Sequence, residues 1–158
     1  MSISNHLKRV RIIADFQFGR GTGEVLFPEG SEFMLSRTKR IRQITFERKR
    51  IATIRAKDGL LTLSMEGAHS IHSFLKAPRS RVVVNSDAAP FVLQGKNAFA
   101  RHIIKADSGI RVMDEVLVVD EADKLLATGQ AVLCEAEMKD FSRGAAVEVR
   151  SGADQDKT

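Results

Sequence analysis

Apolar residues recur in two rhythms along this chain. In residues 5–15 they fall at Leu7, Val10 and Ile13/Ala14, the three-and-four spacing of an amphipathic helix, with Ser4 or Asn5 available as N-cap. Gly19, Gly21 and Gly23 break that rhythm. From there the period is two. Residues 25–28 and 32–37 read as short strands around a Glu29-Gly30 turn, followed by strands at 40–46 and 51–57 joined through residues 47–50. In the last of these, Thr53, Arg55 and Lys57 share one face and Ala52, Ile54 and Ala56 the other, so a basic face backs an apolar one. Asp58-Gly59 signals a turn into a strand at 60–65. Ala68, Ile71 and Leu75 then return to helical spacing.

Residues 76–80 interrupt both rhythms, and Pro78 disfavours helix at the residue before it. A domain boundary is expected there, with a small mixed α+β domain at 1–77 and a second domain at 78–150. Strands are expected at 82–85, 91–93, 114–119, 125–133 and 145–150, and short helices at 96–105 and 135–141, the latter stopped by Gly144. The tail, 151–158, has no hydrophobic residue except Ala153 and is expected to be disordered. No internal repeat relates the halves.

Length and composition narrow the class. A chain of 158 residues can close two small cores, and a hydrophobic fraction of 43% argues against wholesale disorder. No apolar run approaches the ~20 residues needed to span a bilayer, and residues 1–9 lack the apolar core of a signal peptide. No membrane is expected as a partner. The sole cysteine, Cys134, excludes an internal disulfide, so a reducing cytoplasm is the expected compartment. Trp and Tyr are absent, which leaves Phe, His and Arg for any stacking on bases.

The net charge of +5 hides an asymmetry. Residues 1–77 hold 14 Lys/Arg against 7 Asp/Glu, whereas residues 78–158 hold 11 against 13. Between Arg37 and Lys57 stand Arg37, Lys39, Arg40, Arg42, Arg48, Lys49, Arg50, Arg55 and Lys57, with Glu47 the only acid. So few opposing carboxylates make this an electrostatic footprint for a polyanion.

Motifs for chemistry are weak by comparison. Gly19-Arg-Gly-Thr-Gly23 is glycine-rich, but a phosphate loop needs a strand before it and a helix after it, and here the order reads as the reverse. His69 and His72 share a helix face without a Cys, Asp or Glu cluster to complete a metal site. Asp114, Glu115, Asp120, Glu121 and Asp123 do not follow the alternation of a calcium loop and read as hairpin and strand-end residues. Cys134 lacks a visible base and reads as a packed thiol. No metal, cofactor or catalytic residue is expected.

Three pieces of the second half fall in one recognisable order: Gln94-Gly-Lys-Asn97 opening a short helix, the strand Asp114-Glu-Val-Leu-Val-Val119, and its hairpin partner at 125–133. Over residues 86–150 they resemble a PUA domain, a small RNA-binding β pseudo-barrel. The resemblance implies that RNA runs along the helix and its adjoining strands. Gly95 would allow close backbone approach, and the amides after it would favour an anion. Gln94, Gly95, Lys96, Asn97, Arg101, Lys105, Arg111 and Arg143 are the implied RNA contacts, with Arg150 beside the last strand. Related sequences carry Pro-Gly before the Asp-Glu-Val strand. This chain has Val112-Met113, so its turn is expected to form without glycine's positive φ.

The first half, through Asp15-Phe-Gln-Phe-Gly19, Val25-Leu-Phe-Pro28, Arg37-Thr-Lys-Arg-Ile-Arg42 and Ala52-Thr-Ile-Arg-Ala-Lys-Asp-Gly59, is similar to the domain just before PUA in archaeal archaeosine tRNA-guanine transglycosylases and their archaeosine synthase relatives. The whole looks like the C-terminal part of those enzymes without the catalytic domain. The expected function is non-catalytic binding of structured RNA, tRNA by its acceptor stem and 3′ end, as an accessory subunit beside a separate catalytic chain. Arg37, Lys39, Arg40, Arg42, Arg48, Lys49 and Arg50 would track the RNA backbone. A standalone rRNA-binding factor and an enzyme with an unrecognised site are the alternatives.

Overall fold

In the computed structural model, which describes residues 3–155, the chain divides into two compact units, Met1–Phe74 and Leu75–Thr158. The first opens with α1 (Ile3–Phe18), whose Leu7, Val10, Ala14 and Phe18 are buried as their spacing requires. The helix already contains Ser4 and Asn5, so neither caps it from outside. The glycine-rich stretch then turns helix into helix. Most of residues 25–28, expected as strand, belongs instead to α2 (Thr22–Leu26) and its C-cap. Packing decides this: a Cβ on Gly23 would lie 2.4 Å from the Arg11 carbonyl oxygen, so the two helices touch backbone to backbone. The Thr22 hydroxyl, shared between the carbonyls of Ala14 (2.9 Å) and Gly19 (2.6 Å), ties the corner.

Strands β1 (Glu32–Leu35), β2 (Ile41–Phe46), β3 (Lys49–Ile54) and β4 (Leu61–Leu63) follow as an antiparallel meander in sequence order. Ile44, Ala52 and Leu63 are cross-strand neighbours and all buried. α3 (Met65–Phe74) packs against β3, where a Cβ on Gly67 would meet the Ile51 carbonyl oxygen at 2.4 Å. β3 starts and stops earlier than the alternation predicts, because Glu47 and Arg48 alone reverse the chain. Both have positive φ (50° and 68°), the geometry of a type I′ hairpin turn. The expected face of Thr53, Arg55 and Lys57 therefore does not form. Arg55 folds back on Asp58 (2.9 Å), and Lys57 lies in the turn beyond the strand.

The second unit contains β5 (Arg81–Val84), α4 (Ala89–Leu93), β6 (Ala98–Phe99), β7 (Ile103–Ala106), β8 (Glu115–Val119), β9 (Leu125–Ala131), α5 (Glu135–Asp140) and β10 (Ala145–Gly152). One six-stranded sheet runs β6-β10-β9-β8-β5-β7, antiparallel except between β5 and β8. Its two edge strands, β6 and β7, are joined by a single 3₁₀ turn (Ala100–His102), so the sheet curls into a nearly closed pseudo-barrel. Val82, Val84, Val116, Val118, Leu126 and Val147 fill it, with Val92 of α4 and Met138 of α5 packed in.

Four expectations for this unit are corrected. Residues 91–93 are helix, not strand, and Pro90 fits the first turn, where its missing N–H costs no bond. Residues 96–105 are not a helix: Ala98 and Ala100 are buried while Phe99 and Arg101 are exposed, the alternation of an extended chain. The tail is built into the barrel through residue 155. Ser151 and Gly152 pair with Thr128 and Ala127 in β10, and the Asp154 amide donates to the Leu93 carbonyl (3.0 Å); residues 156–158 lie outside the described residues. Before β8, Met113 itself adopts the positive φ (80°), and its amide donates to the Ala131 carbonyl (2.7 Å).

Candidate nucleic-acid interface

The Gln94–Asn97 segment ends a helix instead of opening one. Gln94 is the C-cap of α4, Gly95 follows at φ +94°, and the amides of Gly95 and Lys96 donate back to the carbonyls of Val92 (2.9 Å) and Phe91 (3.0 Å). This is the Schellman arrangement. Two amides expected to meet an anion are thus already bonded, and the helix end presents carbonyls, which favour a cation such as the Lys96 ammonium. The close approach at Gly95 is to the chain itself: a Cβ there would lie 2.7 Å from the Gln155 side chain. Asn97 accepts the Val149 amide (3.0 Å) through its Oδ1 and holds β10.

What the segment does create is a cleft of about 590 Å³ against the 3₁₀ turn, lined by Asp87, Ala88, Phe91, Lys96, Asn97, Phe99, Arg101 and His102. Phe91 and Phe99 are exposed, 64% and 44%. The His102 ring stands between the Asn85 amide group (3.4 Å) and the Arg101 guanidinium (3.2 Å). Arg101 also lines a second groove, of about 420 Å³, with Ile104 and Lys105 of β7 and Lys139 and Phe141 near α5. Arg101 and Lys105 therefore line one groove from a 3₁₀ turn and the strand after it, not from one helix face. Gln94, Arg111 and Arg143 are exposed but line neither cleft.

In the first unit the meander distributes the basic cluster. Arg37, Lys39 and Arg40 occupy the β1–β2 turn, closed by the Ser36 amide on the Arg40 carbonyl (2.8 Å), with Lys39 at φ +66°. Arg48 tips the opposite, β2–β3 turn, and Arg42 is exposed on β2 between them. A six-residue strand separates the two turns by about 20 Å. No carboxylate lies within ion-pair reach of these five among the described residues. Lys49 does have a carboxylate, Glu66 at 3.6 Å, while Arg50 donates to the Thr53 hydroxyl (3.1 Å).

Comparison with known proteins decides what the two units are. The family described as the patch-forming domain C2 of tRNA-guanine transglycosylase matches residues 8–78, and the PUA domain family matches residues 80–153. The chain carries a C2 domain followed by a PUA domain. It is 49% identical to tRNA-guanine(15) transglycosylase of Pyrococcus abyssi over 94% of this chain, and 48% identical to that of Methanothermobacter thermautotrophicus over 92%. It spans only 25% and 22% of those proteins, in their C-terminal region. A hypothetical protein from Pyrococcus horikoshii shares the fold with a TM-score of 0.73 and 25% identity, covering 97% of this chain and 92% of that one. A PUA domain protein from Thermoplasma acidophilum shares it at 0.65 and 20%, covering 96% and 91%.

Within the PUA domain, Arg150 is committed to an ion pair across the sheet. Its guanidinium grips the fully buried Glu115 carboxylate with both arms, Nη2 to Oε1 at 2.8 Å and Nη1 to Oε2. Three more of its acids are tied into structure too. Asp114 accepts the Arg111 amide (2.9 Å), Asp120 the amides of Ala122 and Lys124 (2.9 Å each), and Asp123 the buried Arg81 side chain (2.7 Å). Cys134 is half-buried at the head of α5, and its amide donates to Glu137 (2.9 Å), which holds that carboxyl below its ordinary range. In the C2 domain the Gly23 amide meets Asp15 Oδ1 (2.8 Å), so the glycine-rich corner offers no free cradle there, and Arg20 is exposed beside it. His69 is exposed on α3 and His72 half-buried. No helix among the described residues is long and apolar enough to cross a membrane.

Sequence reasoning missed Phe91, Phe99 and His102. Their signal was present: two Phe flank Gly95-Lys96-Asn97 in a chain without Trp or Tyr. Neither fits a core rhythm.

Proposed function

We propose that this chain binds structured RNA, tRNA above all, and serves as the RNA-holding part of a tRNA-modifying enzyme without performing the chemistry itself. The observation that carries the reading is the PUA cleft, where exposed Phe91 and Phe99 stand beside Lys96 and Arg101. Aromatic walls accept an unstacked base, and a basic rim accepts its phosphate. An acceptor stem with a single-stranded 3′ end supplies both. The exposed cations of the C2 turns suit the phosphate backbone, which fixes position and not sequence. The names of the relatives, tRNA-guanine(15) transglycosylases, supply the class of RNA. The non-catalytic reading is supported by Asp114, Glu115, Asp120 and Asp123, each of which is committed to a turn or an ion pair.

The test compares tRNA with the same tRNA trimmed of its unpaired 3′ nucleotides. The wild-type chain should prefer the intact form. Phe91→Leu and Phe99→Leu keep an apolar side chain but remove the ring, and each should cost about 1–3 kcal/mol of binding to intact tRNA only. Equal affinity of the wild-type chain for both forms would show that the cleft does not read the 3′ end.

A further inference from the structure

Helix α1 carries a second apolar stripe that the C2 domain leaves uncovered. Its inner face, Leu7, Val10, Ala14 and Phe18, is buried. Ile12 and Phe16 stand one turn apart on another face, 62% and 83% exposed, and Phe16 is the most exposed large apolar side chain among the described residues. A cleft of about 410 Å³ runs along the same side past Lys8, Arg9, Ile12 and Ile13. A surface helix needs one apolar stripe to hold it to its domain; a second one is surface kept for something else.

Charge narrows what covers it. Exposed Lys8 and Arg9 lie beside Ile12, while Asp15 is bonded to the Gly23 amide (2.8 Å) and Glu29 is paired with Arg11 (3.8 Å). A second copy of this chain meeting it through the same face would bring like charges together. A protein surface with an apolar hollow and an acidic rim fits. The relatives indicate where such a surface is found. They match this chain in their C-terminal region, so about three quarters of their length precedes the part that matches it.

We propose that the Ile12–Phe16 stripe is the docking face for the body of a tRNA-guanine transglycosylase, meaning the part of the relatives that this chain does not match. The proposal rests on the reading of the chain as the RNA-holding part of such an enzyme. Phe16 enters the hollow, Ile12 packs at its margin, and Lys8 and Arg9 meet the acidic rim. Two large apolar side chains at the centre of a contact, ringed by polar ones, form the usual energetic focus of an interface.

The experiment mixes this chain with the Pyrococcus abyssi enzyme deleted of its matched C-terminal region, after that protein is shown to melt cooperatively, and measures affinity by calorimetry. The wild-type chain should bind. Ile12→Ser and Phe16→Ser should each weaken binding by about 30-fold or more, while melting as the wild type does because both positions are exposed. Phe91→Ser in the PUA domain should dock normally. No binding, or binding indifferent to both substitutions, overturns the proposal. A dimer of the chain that either substitution dissolves also overturns it and gives the stripe to a second copy. Loss of tRNA affinity in the same variants overturns it and gives the stripe to RNA.

Should the deleted enzyme fail to melt cooperatively, the intact enzyme provides the answer. A cysteine at the position aligned with Phe16 should react with a thiol reagent about tenfold or more slowly there than Phe16→Cys does in this chain carrying Cys134→Ser. Equal rates overturn the proposal. Transfer RNA binding is read on the same samples, so its failure in the wild-type chain sinks the RNA reading while stripe-dependent docking still supports this one.

Discussion

Replacing Glu47 and Arg48 by Asn and Gly should make the C2 domain more stable and a weaker RNA binder at once. The two residues form the whole β2–β3 loop at φ 50° and 68°, where a side chain with a Cβ costs about 1–2 kcal/mol per residue. Gly at position 48 removes that cost, but it widens the unfolded ensemble and so returns about 0.4–1 kcal/mol. Asn at position 47 tolerates the conformation and removes part of the cost there. The sum is a gain of about 1 kcal/mol, which at ordinary urea sensitivity raises the unfolding midpoint by about 0.3–1 M. Both side chains are exposed, so little packing is lost. One acid and one base leave together, so net charge is unchanged, and a loss of RNA binding reports Arg48, because losing Glu47 alone would strengthen it. The slope of log affinity against log salt should flatten by about 0.7–0.9, the share of one phosphate contact. Urea unfolding followed by circular dichroism, and tRNA titrations at several salt concentrations, give the two quantities. A variant less stable than the wild type refutes the left-handed turn. A more stable variant with an unchanged slope refutes Arg48 as a phosphate contact.

Three further outcomes are expected. Arg150→Met removes the bidentate guanidinium from the fully buried Glu115 carboxylate and should cost about 3–5 kcal/mol in urea unfolding; adding Glu115→Gln should recover much of the loss, and a double variant no better than the single one would contradict the pairing. Gly152→Ala places a Cβ 2.3 Å from the Leu93 carbonyl oxygen and 2.6 Å from the Gly95 nitrogen, so it should destabilise by about 1–3 kcal/mol and raise hydrogen exchange in residues 151–155. The carboxyl of Glu137 is held below its ordinary value of 4.5 chiefly by the Cys134 amide, so its contribution is present above that value and is lost as pH falls through the lowered one. Glu137→Gln keeps an acceptor without titrating, so its stability relative to wild type should rise only in that acid window; a difference between the two that does not change with pH would show that the cap bond is not made.

The elements legible in sequence were those whose rhythm was long or whose turn was chemically marked. Leu7, Val10 and Ala14 set α1 without ambiguity, and Asp58-Gly59 marked the β3–β4 reversal. Phe91-Val-Leu93 illustrates the opposite case. A short apolar run does not distinguish strand from buried helix, and the deciding cue was Pro90 at a first helical turn. The Gly95 segment was read in the wrong direction for a related reason: glycine with positive φ serves helix ends and close approaches alike, and only the bonds to Phe91 and Val92 distinguish them. The basic character of residues 37–57 was plain, but its division between two turns depended on strand register, which charge does not encode. For Arg150 a buried partner was invisible, because Glu115 lies 35 positions away and meets it only across the sheet.

The strand order also sets a sequence of events in time. β8 and β9 meet across the short reversal at residues 120–124, whereas β5 must find β8 in parallel register, with Arg81 opposite Leu117. Closing the longer loop is entropically slower, so the β8–β9–β10 ladder is expected to form first and β5 and β7 to join it late. Substitutions in β8 and β9 should then slow refolding, and those in β5 should mainly hasten unfolding. The stretch expected to settle last is the 3₁₀ turn and β7, residues 100–106, which hold Arg101 and Lys105 and close the gap to Phe99. The cleft therefore exists only once the barrel has closed, and an RNA seated in it would act as a clasp, holding shut the part of the domain expected to open first.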